Sequence, residues 1–391
     1  MTINRPGTIN RPGTINRPGT INRPGTMNRP GTMNRPGTMN RRGALATALG
    51  ALFTPSLSGQ ESTGRPRTSM GLCQYCARFA REMARAQGPA IDLFKPEPFF
   101  EHARALGAGG YQVALGVLEP RRAALLREQA EASGLYIEGI VRAPKKPSDL
   151  DRFDAEMKSA ASVGAKVVRS TIFTGRRYEY FDSLESYRSH DARARRSLEL
   201  AAPIAEKHRV AFAPENHKDH RIEERVKALQ AIDSEYVGAC VDTGNNFALL
   251  EDPVETVKAL APWAHAVHIK DQAVQLVPEG FLFGDIPLGE GFIDLKQIVA
   301  ILRKSKPRIH FTLELLTRDP LLVPCLEPSY WRTFPDLPAS DLARTLRTVR
   351  DHQAESLQYP SKLALTEQVE LERENILRSI RYAAEVLGLR V

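Results

Sequence analysis

The sequence predicts an α/β protein built as a (β/α)8 TIM barrel, with an N-terminal repeat and leader ahead of it and a C-terminal extension behind it. Three observations predict it. Short apolar runs recur through the body, and stretches with helical spacing separate them. Four of the later runs stop at a side chain able to ligate metal: Glu215 in VAFAPENH, Asp242 in GACVDTGN, His268 in HAVHIKD and Glu314 in IHFTLEL. The steps between these four are 27, 26 and 46 residues, each long enough for a helix and its loops. Parallel strands joined by helices carry their carboxyl ends to one side, so the four side chains are expected to meet at one mouth.

Taken in order, the expected strands lie in SMGLCQYCA, GYQVALG, LYIEGIV, AKVVRSTIF, VAFAPEN, VGACVDTG, AVHIKD and HFTLELL. PEPFFEHARALGA and PRRAALLREQAEASG read as helices, with apolar residues at helical spacing, Pro near the start and Gly at the stop. DLDRFDAEMKSAASVGA, SHDARARRSLELAAPIAEKH, RIEERVKALQAID, DPVETVKALAPW and DLKQIVAILRKS continue the alternation. A doubly wound sheet shares this alternation, but no Gly-rich phosphate turn follows the first strand. The barrel is assigned to residues 68–320. In the extension, residues 321–391, a Pro-rich stretch with Trp331 either covers the mouth or packs on the wall. The helix in TEQVELERENILRSIRYAAEVLG is expected to close the barrel from outside.

The net charge of +8 says little about partners. Residues 1–58 hold eight Arg and no Lys, Asp or Glu, so the remainder is neutral. Residues 1–38 are a tandem hexapeptide, TINRPG and then TMNRPG, with almost nothing to bury; the reading is disorder. Residues 39–60 resemble a twin-arginine export signal: Arg41-Arg42, an apolar stretch from Ala44 to Phe53, then small residues. Met39 is the expected original start, and the expected destination is the periplasm, with the cytoplasm as the alternative. The apolar run is too short for a spanning helix, so no stable membrane insertion is expected after processing. Four cysteines are too few for a disulfide scaffold in 391 residues. Cys73 and Cys76 form a CxxC whose members would point to opposite faces of a strand, which argues against a redox pair.

Two Glu, one Asp and one His suit Mn²⁺, Mg²⁺, Co²⁺ or Zn²⁺, and the absence of Cys leans away from structural zinc. A metal held by a substrate hydroxyl and carbonyl acidifies the carbon between them and stabilises the resulting enediolate. Glu215 and Glu314, on opposite sides of such a metal, would serve as acid and base. The bland alternative for each of the four is a polar cap at a strand end.

The segments APENH, VDTGN, VHIKD, LGEGFIDLKQIVAIL and FTLEL resemble the sugar phosphate isomerase/epimerase superfamily, the xylose isomerase-like TIM barrels. The resemblance spans roughly residues 68–320. It implies that Glu215, Asp242, His268 and Glu314 bind one divalent metal and that the two glutamates are the acid/base pair. It names the reaction poorly, since members include epimerases, isomerases, dehydratases and an endonuclease. Two departures matter: Asn245 stands where many epimerases have His, and no Arg lies between His268 and Arg303. The endonuclease metal cluster looks incomplete, and a neutral body lacks the basic face that nucleic acid needs, so no nucleic-acid partner is expected.

Further substrate contacts are expected from His217, Asn245, Lys270, Arg169 and Glu138. His217 and Lys270 each follow a ligand by two residues. Arg169 would point into the mouth or pair with a barrel carboxylate, and Glu138 would touch substrate or support the ligands. Asp271 is expected to orient Lys270 or cap the next segment, and the spacing of three between His217 and His220 in a loop argues little for a metal. The expected function is a metal-dependent sugar or polyol isomerase/epimerase. A lyase or dehydratase acting on a keto-sugar or keto-inositol is the alternative, and a non-catalytic sugar-binding barrel is a third reading. The oligomeric state is left open.

Overall fold

The computed structural model describes residues 67–88 and 92–391. The hexapeptide repeat and the twin-arginine-type segment lie outside the described residues. Eight parallel strands form the main sheet: β1 (Gly71–Cys73), β2 (Gly110–Ala114), β3 (Tyr136–Ile140), β4 (Val167–Ser170), β5 (Ala211–Pro214), β6 (Ala239–Asp242), β7 (Ala264–Ile269) and β10 (Thr312–Leu313). Their order is β5-β4-β3-β2-β1-β10-β7-β6. Parallel bridges Phe212 to Val237 and Glu215 to Cys240 link the two outer strands, so the ring closes.

The helices obey the punctuation read from the sequence. The helices Pro96–Leu106 and Pro120–Ser133 begin on proline and end at Gly107 and Gly134, both in the left-handed region. Proline has no amide hydrogen to leave unsatisfied in a first turn, and glycine reaches positive φ without steric cost. Helix Pro253–Leu260 is capped by Asp252, whose side chain accepts from Val254 and Glu255. Between β1 and β2 there are two helices, Arg78–Gln87 and Pro96–Leu106. The C-terminal helix Leu365–Glu385 packs beside the first of these, and its Glu372 accepts the amides of Phe79 and Ala80 (2.8 and 2.9 Å). Among the described residues no helix is long and apolar enough to cross a membrane.

One element was not expected. The long step between His268 and Glu314 holds a hairpin, β8 (Asp271–Val277) and β9 (Gly280–Ile286), as well as the helix Leu295–Ser305. With β11 (Leu321–Val323), the hairpin makes a three-stranded antiparallel sheet. Its inner side chains Val274, Phe281, Phe283 and Val323 join Phe247, Tyr330 and Phe334 in a second core. The Pro-rich stretch packs there: the Tyr330 hydroxyl donates to Ala248 O at 2.9 Å.

Candidate metal centre at the barrel mouth

Each of the four side chains is delivered by a strand end. Pro214 closes β5, and the Glu215 amide then reaches Ser170 O (2.9 Å). Asp242 ends β6, and its Oδ1 accepts the amides of Gly244 (2.9 Å) and Asn245 (2.7 Å), which turns the chain. Gly244 leaves room there for the Gln272 side-chain amide, which a Cβ would push aside. His268 lies in register with Asp242 on one side and Thr312 on the other. Glu314 follows β10, with its amide on Ile269 O. Ligand atoms from all four lie within 4.8 Å of one another, and all four residues are buried.

The surroundings of His268 test whether this group suits a cation. Gln112 Nε2 donates to Glu138 Oε2 (2.9 Å), so its oxygen is turned to His268 Nε2 at 2.8 Å. That directs the Nε2 proton at Gln112 and turns Nδ1 to the carboxylates. Burial would lower the ring's pKa, but Cys240, Glu314 and Glu215 raise it well above the usual, and a divalent ion would take the place of the Nδ1 proton. Nδ1 is buried without a hydrogen-bond partner, 3.6 Å from Glu215 Oε2 and 3.4 Å from Glu314 Oε1. Three potential ligand atoms, one imidazole nitrogen and two carboxylate oxygens at 3.4 and 3.6 Å from it, fit a divalent ion. Cys73, buried at the end of β1, can also bring its sulfur near His268 and Glu314.

Two cations serve the carboxylates. Arg169 pairs with Glu215 Oε2 and lies 3.7 Å from Glu314 Oε1. Lys270 Nζ lies between Asp242 Oδ2 (2.8 Å) and Glu314 Oε2 (2.7 Å). Burial alone would raise both glutamates, but Arg169 and His268 hold the Glu215 carboxyl below its ordinary range. His268 and Lys270 do the same for Glu314. Lys270 is itself buried, a cost outweighed by Asp242 and Glu314, which raise its pKa well above the usual.

The other expected residues divide. Asn245 reaches the cluster, with Nδ2 donating to Glu215 Oε1 at 2.9 Å. His217 is half-buried, its Nδ1 has no hydrogen-bond partner, and burial lowers its pKa to about 4. Glu138 lies on the far side of the His268 ring, bonded to Gln112 and Thr312. There burial pushes its pKa up to about 7. Asp271 receives the amides of Gly289, Gly291 and Ile293, so it organises the loop before the next helix. His220 is locked between Asp191 (2.9 Å) and Asp219 (3.2 Å), away from any metal group among the described residues. Cys73 and Cys76 are free and buried; Cys73 ends a strand, and Cys76 sits in the tight turn after it.

Sequence reading missed Gln112, Tyr75 and Lys218. Gln112 stands in the second strand with no motif to mark it. Tyr75 follows β1 in a short turn, where the Arg169 guanidinium lies 5.5 Å from its ring centroid. Lys218 reads as an ordinary loop lysine, yet it is 3% exposed and its ammonium donates to Asn245 Oδ1. At the opposite end of the barrel a hollow of about 620 Å³, lined by Lys166, Trp263 and His265, shares no residue with the cluster.

Fold and site together define a closed (β/α)8 barrel with a metal-competent acidic cluster at the carboxyl ends of its strands. The chain belongs to the xylose isomerase-like TIM barrel family, which it matches over residues 100–349. It is 25% identical over 252 residues to a 3-oxo-isoapionate decarboxylase of Pectobacterium atrosepticum, covering 63% of this chain and 85% of that one. Among solved structures, a D-psicose 3-epimerase determined in the presence of D-fructose aligns with a TM-score of 0.48 at 14% identity, over 76% of this chain and 94% of that one. A xylose isomerase-like TIM barrel protein from Mycobacterium smegmatis in complex with magnesium aligns with a TM-score of 0.43 at 18% identity, over 64% and 87%.

Proposed function

We propose that the chain is a divalent-metal-dependent enzyme acting on a sugar or polyol that carries a ketone. It moves a proton on the carbon next to the carbonyl, as an isomerase or epimerase. The observation that supports this reading is the buried cluster of Glu215, Asp242, His268 and Glu314, with two cations built in beside it. A divalent ion, when bound by these four residues, supplies Lewis-acid polarisation of the hydroxy-ketone. Glu215 removes the proton and Glu314 returns one. Lys270 and Arg169 present fixed positive charge where substrate oxygens become negative. His217 and Asn245 border the substrate, while Gln112 and Glu138 hold the His268 ring in place.

A second reading is a lyase, and the clamping of both glutamates favours it. Ion pairing with Arg169 and Lys270 keeps the glutamates ionised but makes them weaker bases. Loss of CO₂ from a 3-oxo acid requires no base to attack carbon: the electron pair of the breaking C–C bond moves into the neighbouring carbonyl. The curated relative named as a 3-oxo-isoapionate decarboxylase supports this route.

Incubation of Mn²⁺-loaded protein with a keto-sugar panel in deuterated water separates the two. Solvent deuterium at the α-carbon with the carbon skeleton intact is the expected result. Release of water or CO₂ would replace it with the lyase. Turnover that persists unchanged in both Glu215→Gln and Glu314→Gln would discard the assigned chemistry. Absence of turnover together with sugar binding would leave a non-catalytic binding barrel. Export by the twin-arginine route, starting at Met39, belongs to the same proposal. An intact Met1 on soluble cytoplasmic protein, found by N-terminal sequencing, would overturn that part.

A further inference from the structure

Lys218 is unusual among the buried cations of the mouth. Arg169 and Lys270 each face carboxylates, and Arg318 lies 3.6 Å from Asp285. Lys218 is 3% exposed, yet among the described residues its ammonium donates to the neutral side-chain oxygen of Asn245 and forms no ion pair. Asn245 in turn donates to Glu215 Oε1, so one amide separates the Lys218 ammonium from a metal-facing carboxylate. The backbone is also held in an unfavourable shape, since Lys218 has φ +60°, a region that side-chain-bearing residues rarely adopt. A buried, unpaired ammonium in a strained backbone is costly, and such features cluster where a ligand completes them.

We infer that Lys218 is a specificity residue that receives the carboxylate of an anionic substrate, so the natural substrate is a keto-sugar acid rather than a neutral ketose. This inference rests on the proposed chemistry at the metal cluster and names the substrate class for it. Arg169 and Lys270 carry the ion pairs to the three carboxylates of the metal cluster, and Arg318 faces the fourth nearby carboxylate, Asp285. Lys218 makes none of these ion pairs, so its ammonium is left to meet a ligand. Burial and the nearby Lys270 and Arg318 also lower its pKa, to about 8, so the ammonium remains the main form at neutral pH.

Two small probes isolate the effect without requiring the right sugar stereochemistry. Hydroxypyruvate and dihydroxyacetone share a hydroxy-ketone and differ in one carboxylate. Their affinities for Mn²⁺-loaded full-length protein are measured by calorimetry at pH 7. The parent is expected to prefer hydroxypyruvate by about tenfold or more. Lys218→Met is expected to remove most of that preference, while Lys218→Arg retains it. A parent that binds both probes alike overturns the inference, whatever the variants do. So does an unchanged ratio in a Lys218→Met protein that melts like the parent. If deuterium exchange at the α-carbon proceeds in the parent while the affinity ratio is one, the proton-transfer reading stands and the anionic substrate does not.

Discussion

Two buried regions of this barrel treat the same chemical group in opposite ways. At the mouth, Glu215 and Glu314 are held ionised, because Arg169, His268 and Lys270 outweigh the penalty of burial. On the far side of the His268 ring, Glu138 is hydrogen-bonded to the neutral Gln112 and Thr312 and feels His268 without an ion pair, and burial wins: its pKa rises to about 7. Glu372, on the outer wall, behaves like Glu138 although it accepts two backbone amides and lies near Arg78. Burial by itself therefore does not decide what a carboxyl does. Full cations nearby keep it charged and available to a metal, whereas neutral donors leave it as a structural acid.

The comparison is broken most strongly at the mouth. Glu215→Gln or Glu314→Gln should lower turnover by about a thousandfold, since each removes both a ligand and a proton-transfer group. The initial rate on whichever keto-sugar the parent accepts measures this, and losses under tenfold would remove the glutamates from the chemistry. Lys270→Met leaves Asp242 and Glu314 buried without their shared cation. In metal-free protein this should cost about 3 kcal/mol or more in denaturant melts. Added Mn²⁺ should recover much of the loss, because the ion replaces the missing charge; equal loss with and without metal would argue that the carboxylates do not share a metal site.

A smaller effect is expected on the far side of the ring. Gln112→Leu frees His268 Nε2 and should weaken metal affinity by roughly 10-fold to 100-fold, with the fold intact. Competition against a fluorescent chelator reads this directly. The smallest effect belongs to Glu372, whose folded pKa of about 7 lies above its ordinary 4.5. The folded state then holds a proton that the unfolded state releases. The favourable contribution is complete below pH 4.5 and is lost as pH rises through 7. Melts at pH 5 and pH 8 should show a decline, on the order of 1 kcal/mol, that Glu372→Gln lacks. Identical pH profiles would show that the backbone donors and Arg78 offset burial.

Much of the mouth was legible along the chain. Apolar runs ending in Glu215, Asp242, His268 and Glu314 mark strand ends, because a polar group cannot continue a buried strand at no cost. Arg169 and Lys270 were legible as neighbours of those ends, although their two roles, solvated or paired, could not be separated from sequence. The β8–β9 hairpin was not legible. DQAVQLV and GFLFGDI carry a strand pattern, but they sit inside a step long enough for a loop and helix, and nothing local says that a second sheet starts there.

By itself, the sequence determined the order of strands and helices and the four side chains at the strand ends, because periodicity and capping are properties of neighbouring residues. Tertiary structure alone decided which charges face which. Gln112 is separated from His268 by 156 residues, and it orients the imidazole only once β2 and β7 come close across the barrel. Lys218 looks like any loop lysine until folding buries it beside Asn245 without an ion-pair partner among the described residues. Coulomb and desolvation terms depend on distance in space, so charge pairing at the mouth became visible only when the ring of strands closed.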